Sequence, residues 1–184
     1  MSTAIPVVGL DLSLTGTGIA TAAGVRTIAS SGKAGASLRV RHARLDAIAT
    51  EVSLAVAETV GYRTHDAPGA LVVIEAPAFS RTTGHQHDRS GLWWLVVDEL
   101  ISAGHLVAEV SPTARAKYGT GKGNAGKAAV VSAVSHRYGV IFGDDNAADA
   151  FILRAMGCHR YGQPLATVPQ THATALDEIG RAHV

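Results

Sequence analysis

The chain has 184 residues, 47% of them hydrophobic and 17% charged, with a formal net charge of +1. That is material for one good core, and one domain is the expectation. No run approaches the roughly 18–20 apolar residues of a membrane helix, and the N-terminus lacks the basic-then-apolar layout of a secretory signal. The single cysteine, Cys158, excludes an intramolecular disulfide and suits a reducing cytoplasm, where it reads as a small buried helix residue.

Residues 5–12 read as an apolar strand that closes on one carboxylate, Asp11, followed by the small and hydroxylated run Ser13-Leu14-Thr15-Gly16-Thr17-Gly18. Gly16 and Gly18 permit a tight reversal or close packing, and residues 17–23 and 25–29 then complete a three-strand meander. A long helix is expected over 37–60, with Leu38, Leu45, Ile48, Val52, Val56 and Val60 at helical spacing and Gly61 as its stop. Residues 70–74 form a short, wholly apolar strand of the kind buried on both faces, ending at Glu75. Residues 76–89 show no periodicity and read as a polar loop. A helix carrying Trp93 and Trp94 follows over 92–103, then a strand over 105–110 that Ser111-Pro112-Thr113 breaks. A glycine-rich loop spans 119–126, with helices over 127–138 and 146–160 beyond it. The order implies an α/β fold, a mixed sheet with helices on its faces. Residues 1–160 form the expected domain, and 161–184 are a tail without a firm pattern.

A lone acid ending an apolar strand is costly unless a cation or hydrogen-bond donors meet it. If the long helix is a crossover between parallel strands, Asp11 and Glu75 emerge at the same sheet edge. Asp149 lies one turn into the last helix, where Asp145 and Asn146 share its face. Asp144 and Asp145 are also good helix caps. Oxygen ligands converging from two strand ends and a helix suit Mg²⁺ or Mn²⁺. Two such ions about 3.5–4 Å apart activate water and stabilise the leaving oxygen of a phosphodiester. The distribution of charge agrees: residues 111–143 contain no acid but hold Arg115, Lys117, Lys122, Lys127 and Arg137, and residues 26–44 are also basic. An acid cluster in a basic surround suits a polyanion, although ordinary solvated faces give the same pattern. His85 and His87 have no nearby cysteine or third histidine to make a zinc site.

Gly9-Leu10-Asp11-Leu12-Ser13-Leu14-Thr15-Gly16-Thr17-Gly18 resembles the first-strand motif of the RuvC-type Holliday-junction resolvases, in the ribonuclease H-like superfamily. Val73-Ile74-Glu75 is similar to that family's second acidic strand, and Asp145-Asn146-Ala147-Ala148-Asp149-Ala150 to its terminal helix start. The basic stretch 117–127 also resembles the family's segment before the penultimate helix. Where the family has an acid or histidine three residues before the last aspartate, this chain has Asn146; Asp145 is the preferred fourth ligand, and the Asn146 carbonyl oxygen is the alternative. The resemblance implies a homodimer that cuts symmetric strands of a four-way DNA junction to leave 5′-phosphate ends. Its catalytic set would be Asp11, Glu75, Asp145, Asp149 and Lys127, with two Mg²⁺ or Mn²⁺ ions held by the acids and Asn146. Arg115, Lys117 and Lys122 would contact phosphates. Phe79, which would stack on an opened base, and Arg81 would act from the polar loop. Such short chains are common in bacteriophages, so a phage source, and with it a bacterial host cytoplasm, is the expectation.

Three rivals stand beside this reading. The Asp11–Gly18 motif is also similar to the phosphate hairpin of sugar-kinase and actin-like ATPases, but that architecture needs two lobes and this chain has room for one. A nuclease for flaps, forks or RNA on the same fold is the second. A junction-binding protein without cleavage is the third.

Overall fold

In the computed structural model the described residues are 5–61, 69–77 and 85–180. Strands β1 (Val7–Asp11), β2 (Gly16–Thr21) and β3 (Gly24–Ala29) form the expected antiparallel meander. Helix α1 (Leu38–Val60) crosses over to β4 (Leu71–Glu75), which pairs parallel to β1. Helix α2 (Gln86–Ser102) crosses over to β5 (Leu106–Val110), parallel to β4. The five-stranded sheet therefore runs β3-β2-β1-β4-β5. Helices α3 (Pro112–Thr120), α4 (Lys127–Tyr138), α5 (Asp145–Arg160) and the short α6 (Gln170–Ala173) complete the chain, with a 3-10 turn over Thr174–Glu178.

Alternation along the strands divides the core into two layers. Val8, Leu10, Val72 and Ile74 pack with Ile48, Val52 and Val56 of α1 and with Leu92, Val96 and Leu100 of α2. Val7, Val73 and Val110 face the opposite way, toward Ile152, Leu153 and Met156 of α5 and Tyr118 of α3. Because Val7 and Val73 lie on the α5 side, so do Gly9, Asp11 and Glu75, each an even step along its strand. Helix α5 comes very close to this face. A Cβ on Gly9 would sit 2.0 Å from the Ala150 carbonyl oxygen, and one on Gly18 would sit 2.1 Å from that of Asn146. Gly18 thus serves close packing, and that approach sets the depth at which α5 carries its acids over the sheet.

Four elements depart from the sequence expectation. Helix α2 starts at Gln86, inside the stretch read as loop. Its first turn is polar and largely exposed, so no apolar stripe marks it. Ser111-Pro112 starts helix α3, which the sequence reading lacks: the Ser111 hydroxyl accepts from the Ala114 backbone N–H at 3.0 Å, and Pro112 occupies the first turn, where a missing N–H costs nothing. Leu38 opens α1 yet is 77% exposed, so the buried stripe begins further along. Residues 161–180 fold back on α3: Ala175 is buried, Lys117 pairs with Glu178, and the Gly180 N–H donates to the Glu109 carbonyl on the edge of β5 at 2.9 Å. Cys158 is buried in α5. Among the described residues no helix is long and apolar enough to cross a membrane.

Candidate active site

Leu10 of β1 is in register with Ile74 of β4, so the next residues, Asp11 and Glu75, end neighbouring parallel strands side by side. Both turn toward α5. There Asp144 caps the helix, its carboxylate accepting from the Ala147 backbone N–H at 2.8 Å and from the Thr27 hydroxyl at 3.1 Å. Capping therefore falls to Asp144, which leaves Asp145 and Asp149 for other work. Asp149 is buried over the strand ends, and Asp145 pairs with Lys127 at the start of α4. Asn146 lies over β2, its side-chain amide against Gly16.

Strand β5 ends one residue before Ser111, and α3 leaves from there. One turn later Arg115 reaches back into the acids: its Nε donates to Glu75 and its Nη1 to Asp149. The Arg115 side chain is only 12% exposed. Lys127, by contrast, is 78% exposed and sits at the mouth. Lys117, two residues from Arg115 and so on another face of α3, is engaged with Glu178 at 3.6 Å and is not brought to the acids. Lys122 lies exposed in the turn after α3, which the Thr120 hydroxyl closes by donating to the Lys122 carbonyl at 3.0 Å. Phe79 and Arg81 lie outside the described residues.

The electrostatics follow from burial. Desolvation, with repulsion from Glu75 and Asp149 behind it, pushes the Asp11 carboxyl up to about 8. Burial pushes Asp149 up to about 6 against the pull of Arg115. Burial also disfavours the Arg115 charge, but Glu75 and Asp149 outweigh it and hold the guanidinium protonated more firmly than usual. Lys127 hydrogen-bonds Asp145 and holds its carboxyl below the usual range.

Two residues that brace the site escaped the sequence reading. The Trp93 indole N–H donates to the Glu75 backbone carbonyl at 3.0 Å, fixing the end of β4. Thr17 is fully buried and clasps the hairpin after Asp11: its hydroxyl donates to the Ser13 carbonyl at 2.9 Å and accepts from the Ser13 N–H at 3.2 Å. The adjacent Trp93 and Trp94 give no sign of which one is the brace; for Thr17, its place between Gly16 and Gly18 was the only cue to a buried hydroxyl. A cleft of about 340 Å³ opens beside Asp11, Glu75 and Trp93. A smaller one, about 170 Å³, is bordered by Arg115, Lys127 and Asp149.

The donor set here is all oxygen: carboxylates from two strand ends and a helix, with one amide. By chemistry it fits a hard divalent cation. Among the described residues, however, no three acids, histidines or cysteines stand gathered as a metal site, and Arg115 bridges two of the carboxylates instead.

No protein-family profile matches the chain, and no curated protein matches it. Solved structures do. The sheet order and the crossovers are those of a ribonuclease H-like fold, the fold of the RuvC structures below. One match is Thermus thermophilus RuvC, at a TM-score of 0.61 and 20% identity, over 90% of this chain and 100% of that one. Another is T. thermophilus RuvC in complex with Holliday junction substrate, at 0.60 and 18%, with the same coverage.

Proposed function

We propose that the protein is a divalent-metal-dependent endonuclease that resolves four-way DNA junctions. The observation that carries this reading is the pairing of Asp11 and Glu75 on adjacent parallel strand ends beneath Asp149, on the scaffold of a protein solved with a Holliday junction. Asp11, Glu75 and Asp149 would hold Mg²⁺ or Mn²⁺, with Asp145 or the Asn146 carbonyl oxygen as a fourth ligand. A pair of such ions, when bound, supplies a nucleophilic water and offsets charge on the leaving oxygen of a phosphodiester.

The remaining tasks fall to the chain's own side chains. Trp93 and the Thr17 clasp hold the two strand ends so that their carboxylates stay side by side. Lys127 waits at the mouth with most of its length in solvent, suited to a phosphate beside the acids. Lys122, exposed on the preceding turn, extends that positive edge, and Phe79 and Arg81 belong to the same proposal as base-stacking and phosphate contacts. A symmetric junction asks for two such sites, hence a homodimer. Trp94, 65% exposed, and Ile101, 46% exposed, lie two turns apart on one side of α2, with the exposed Asp98 between them, and are apolar groups it offers for that contact.

Cleavage of a labelled four-way junction, beside a linear duplex and a flap, tests the reading. Paired nicks at symmetric positions in Mg²⁺ or Mn²⁺, lost in EDTA and in Asp149→Asn, are expected. Equal cutting of the flap would make it a general branched-DNA nuclease. Tight binding without cutting in either metal would leave a binding protein.

A further inference from the structure

The acids of the site are tied together by a residue of the chain itself. Arg115 joins Glu75 of β4 to Asp149 of α5, the two elements that a cation would also have to join. Its side chain is as enclosed as the carboxylates it meets: 12% exposed, against 15% for Glu75 and 9% for Asp149. Helix α3 delivers it there. That helix is capped by Ser111, anchored through the buried Ala114, Ala116 and Tyr118, and closed at Gly121 in the left-handed conformation, φ 83°. The helix is a fixed platform, whereas the guanidinium hangs from a flexible aliphatic stem. It therefore has two places to be. One is the present bridge. The other is the cleft of about 170 Å³ that Arg115 itself borders together with Lys127 and Asp149.

Arg115 takes one oxygen of each carboxylate, Oε2 of Glu75 and Oδ1 of Asp149, and its positive charge, enclosed between them, opposes a divalent cation set against the same two groups. We propose that Arg115 is a built-in counter-cation that competes with the divalent metal for Glu75 and Asp149 and, when displaced, swings to the Lys127 side, where it meets a phosphate of the DNA. The inference rests on the metal-nuclease reading above and adds to it that metal binding is opposed from within. It also links metal entry to the appearance of a second positive group at the mouth.

The consequence has two signs. Removing the guanidinium takes a partner from two buried carboxylates, so the metal-free protein loses stability. It also removes the competitor, so metal affinity rises. If the bridge-open state is populated at about one part in ten or less, Arg115→Gln lowers the Mg²⁺ dissociation constant at least about tenfold. The test is calorimetric titration of Mg²⁺ into wild type, Arg115→Gln and Arg115→Lys, with melting temperatures measured in EDTA. A lower melting temperature together with tighter Mg²⁺ binding in Arg115→Gln bears the inference out. A wild type that binds Mg²⁺ while Arg115→Gln binds it equally or more weakly overturns the inference and leaves the nuclease reading standing. No binding by either, of Mg²⁺ or of Mn²⁺ titrated in the same way, overturns both. Should Arg115→Gln fail to fold, the wild type still decides: the Arg115 Nε–H resonance must shift in step with Mg²⁺ binding, and an unmoved resonance refutes the displacement.

Discussion

Asp11→Asn offers the sharpest test of the site's electrostatics, because it is expected to stabilise the metal-free protein. Asp11 titrates near 3.8 when unfolded and near 8 in the fold, chiefly because burial disfavours its charge. A raised folded-state value means that the fold holds a proton the unfolded chain has given up. The stability of the fold therefore falls as pH rises from about 4 to about 8 and levels off beyond. The span is about four pH units at about 1.4 kcal/mol each, so the ceiling is on the order of 5 kcal/mol. At about 2–4 °C per kcal/mol for a chain of this size, that is on the order of 10 °C. Asparagine is neutral at every pH and close in shape, so the variant escapes the loss. The assay is thermal melting in EDTA, read as the difference between variant and wild type so that the nine histidines cancel. The two should melt together near pH 4, and the Asp11→Asn variant should melt progressively higher than wild type up to pH 8. A pH-independent difference, or a variant less stable at pH 8, would refute the reasoning.

Other residues give further expectations. Gly18→Ala forces a Cβ into the Asn146 carbonyl, so α5 must back away from β2; about 1–3 kcal/mol should be lost in urea denaturation, with cleavage falling further as Asp149 shifts. Trp93→Phe removes the donor to the Glu75 carbonyl; a loss of about 1 kcal/mol is expected, and kcat should drop more than junction affinity. Lys127→Ala should weaken junction binding, measured by fluorescence anisotropy across salt concentrations, and lower the salt slope by about one. Lys117→Ala, whose ammonium is engaged with Glu178 away from the acids, should change both much less.

How far the sequence revealed this structure depends on the range of the forces involved. The acidic strand ends were legible because strand alternation and a right-handed crossover determine where a strand-final residue emerges. Asp149 was legible because a carboxylate beside Ala150-Phe151-Ile152-Leu153 has no cheap place to go. Helix α3 was hidden by its own start signal: Ser-Pro after a strand reads as a break, and the same pair is an N-cap followed by a favoured first-turn proline. The position of Arg115 depends on the phase of that unseen helix and on partners 40 and 34 residues away, so it read only as one cation among several. The fold-back of residues 161–180 is held by scattered contacts, such as Arg137 donating to the His172 ring and the Gly180 N–H donating to the Glu109 carbonyl, which leave no periodicity.

The central claim, paired cutting of a junction by the acids over β1 and β4, is tested most directly on a supercoiled plasmid carrying an extruded cruciform, with the protein in excess and Mg²⁺ added. Two sites acting within one bound complex should yield linear DNA with little nicked circle, and none in Asp149→Asn. Accumulation of nicked circle as the end product, or an uncut plasmid bound by the protein, would contradict the account.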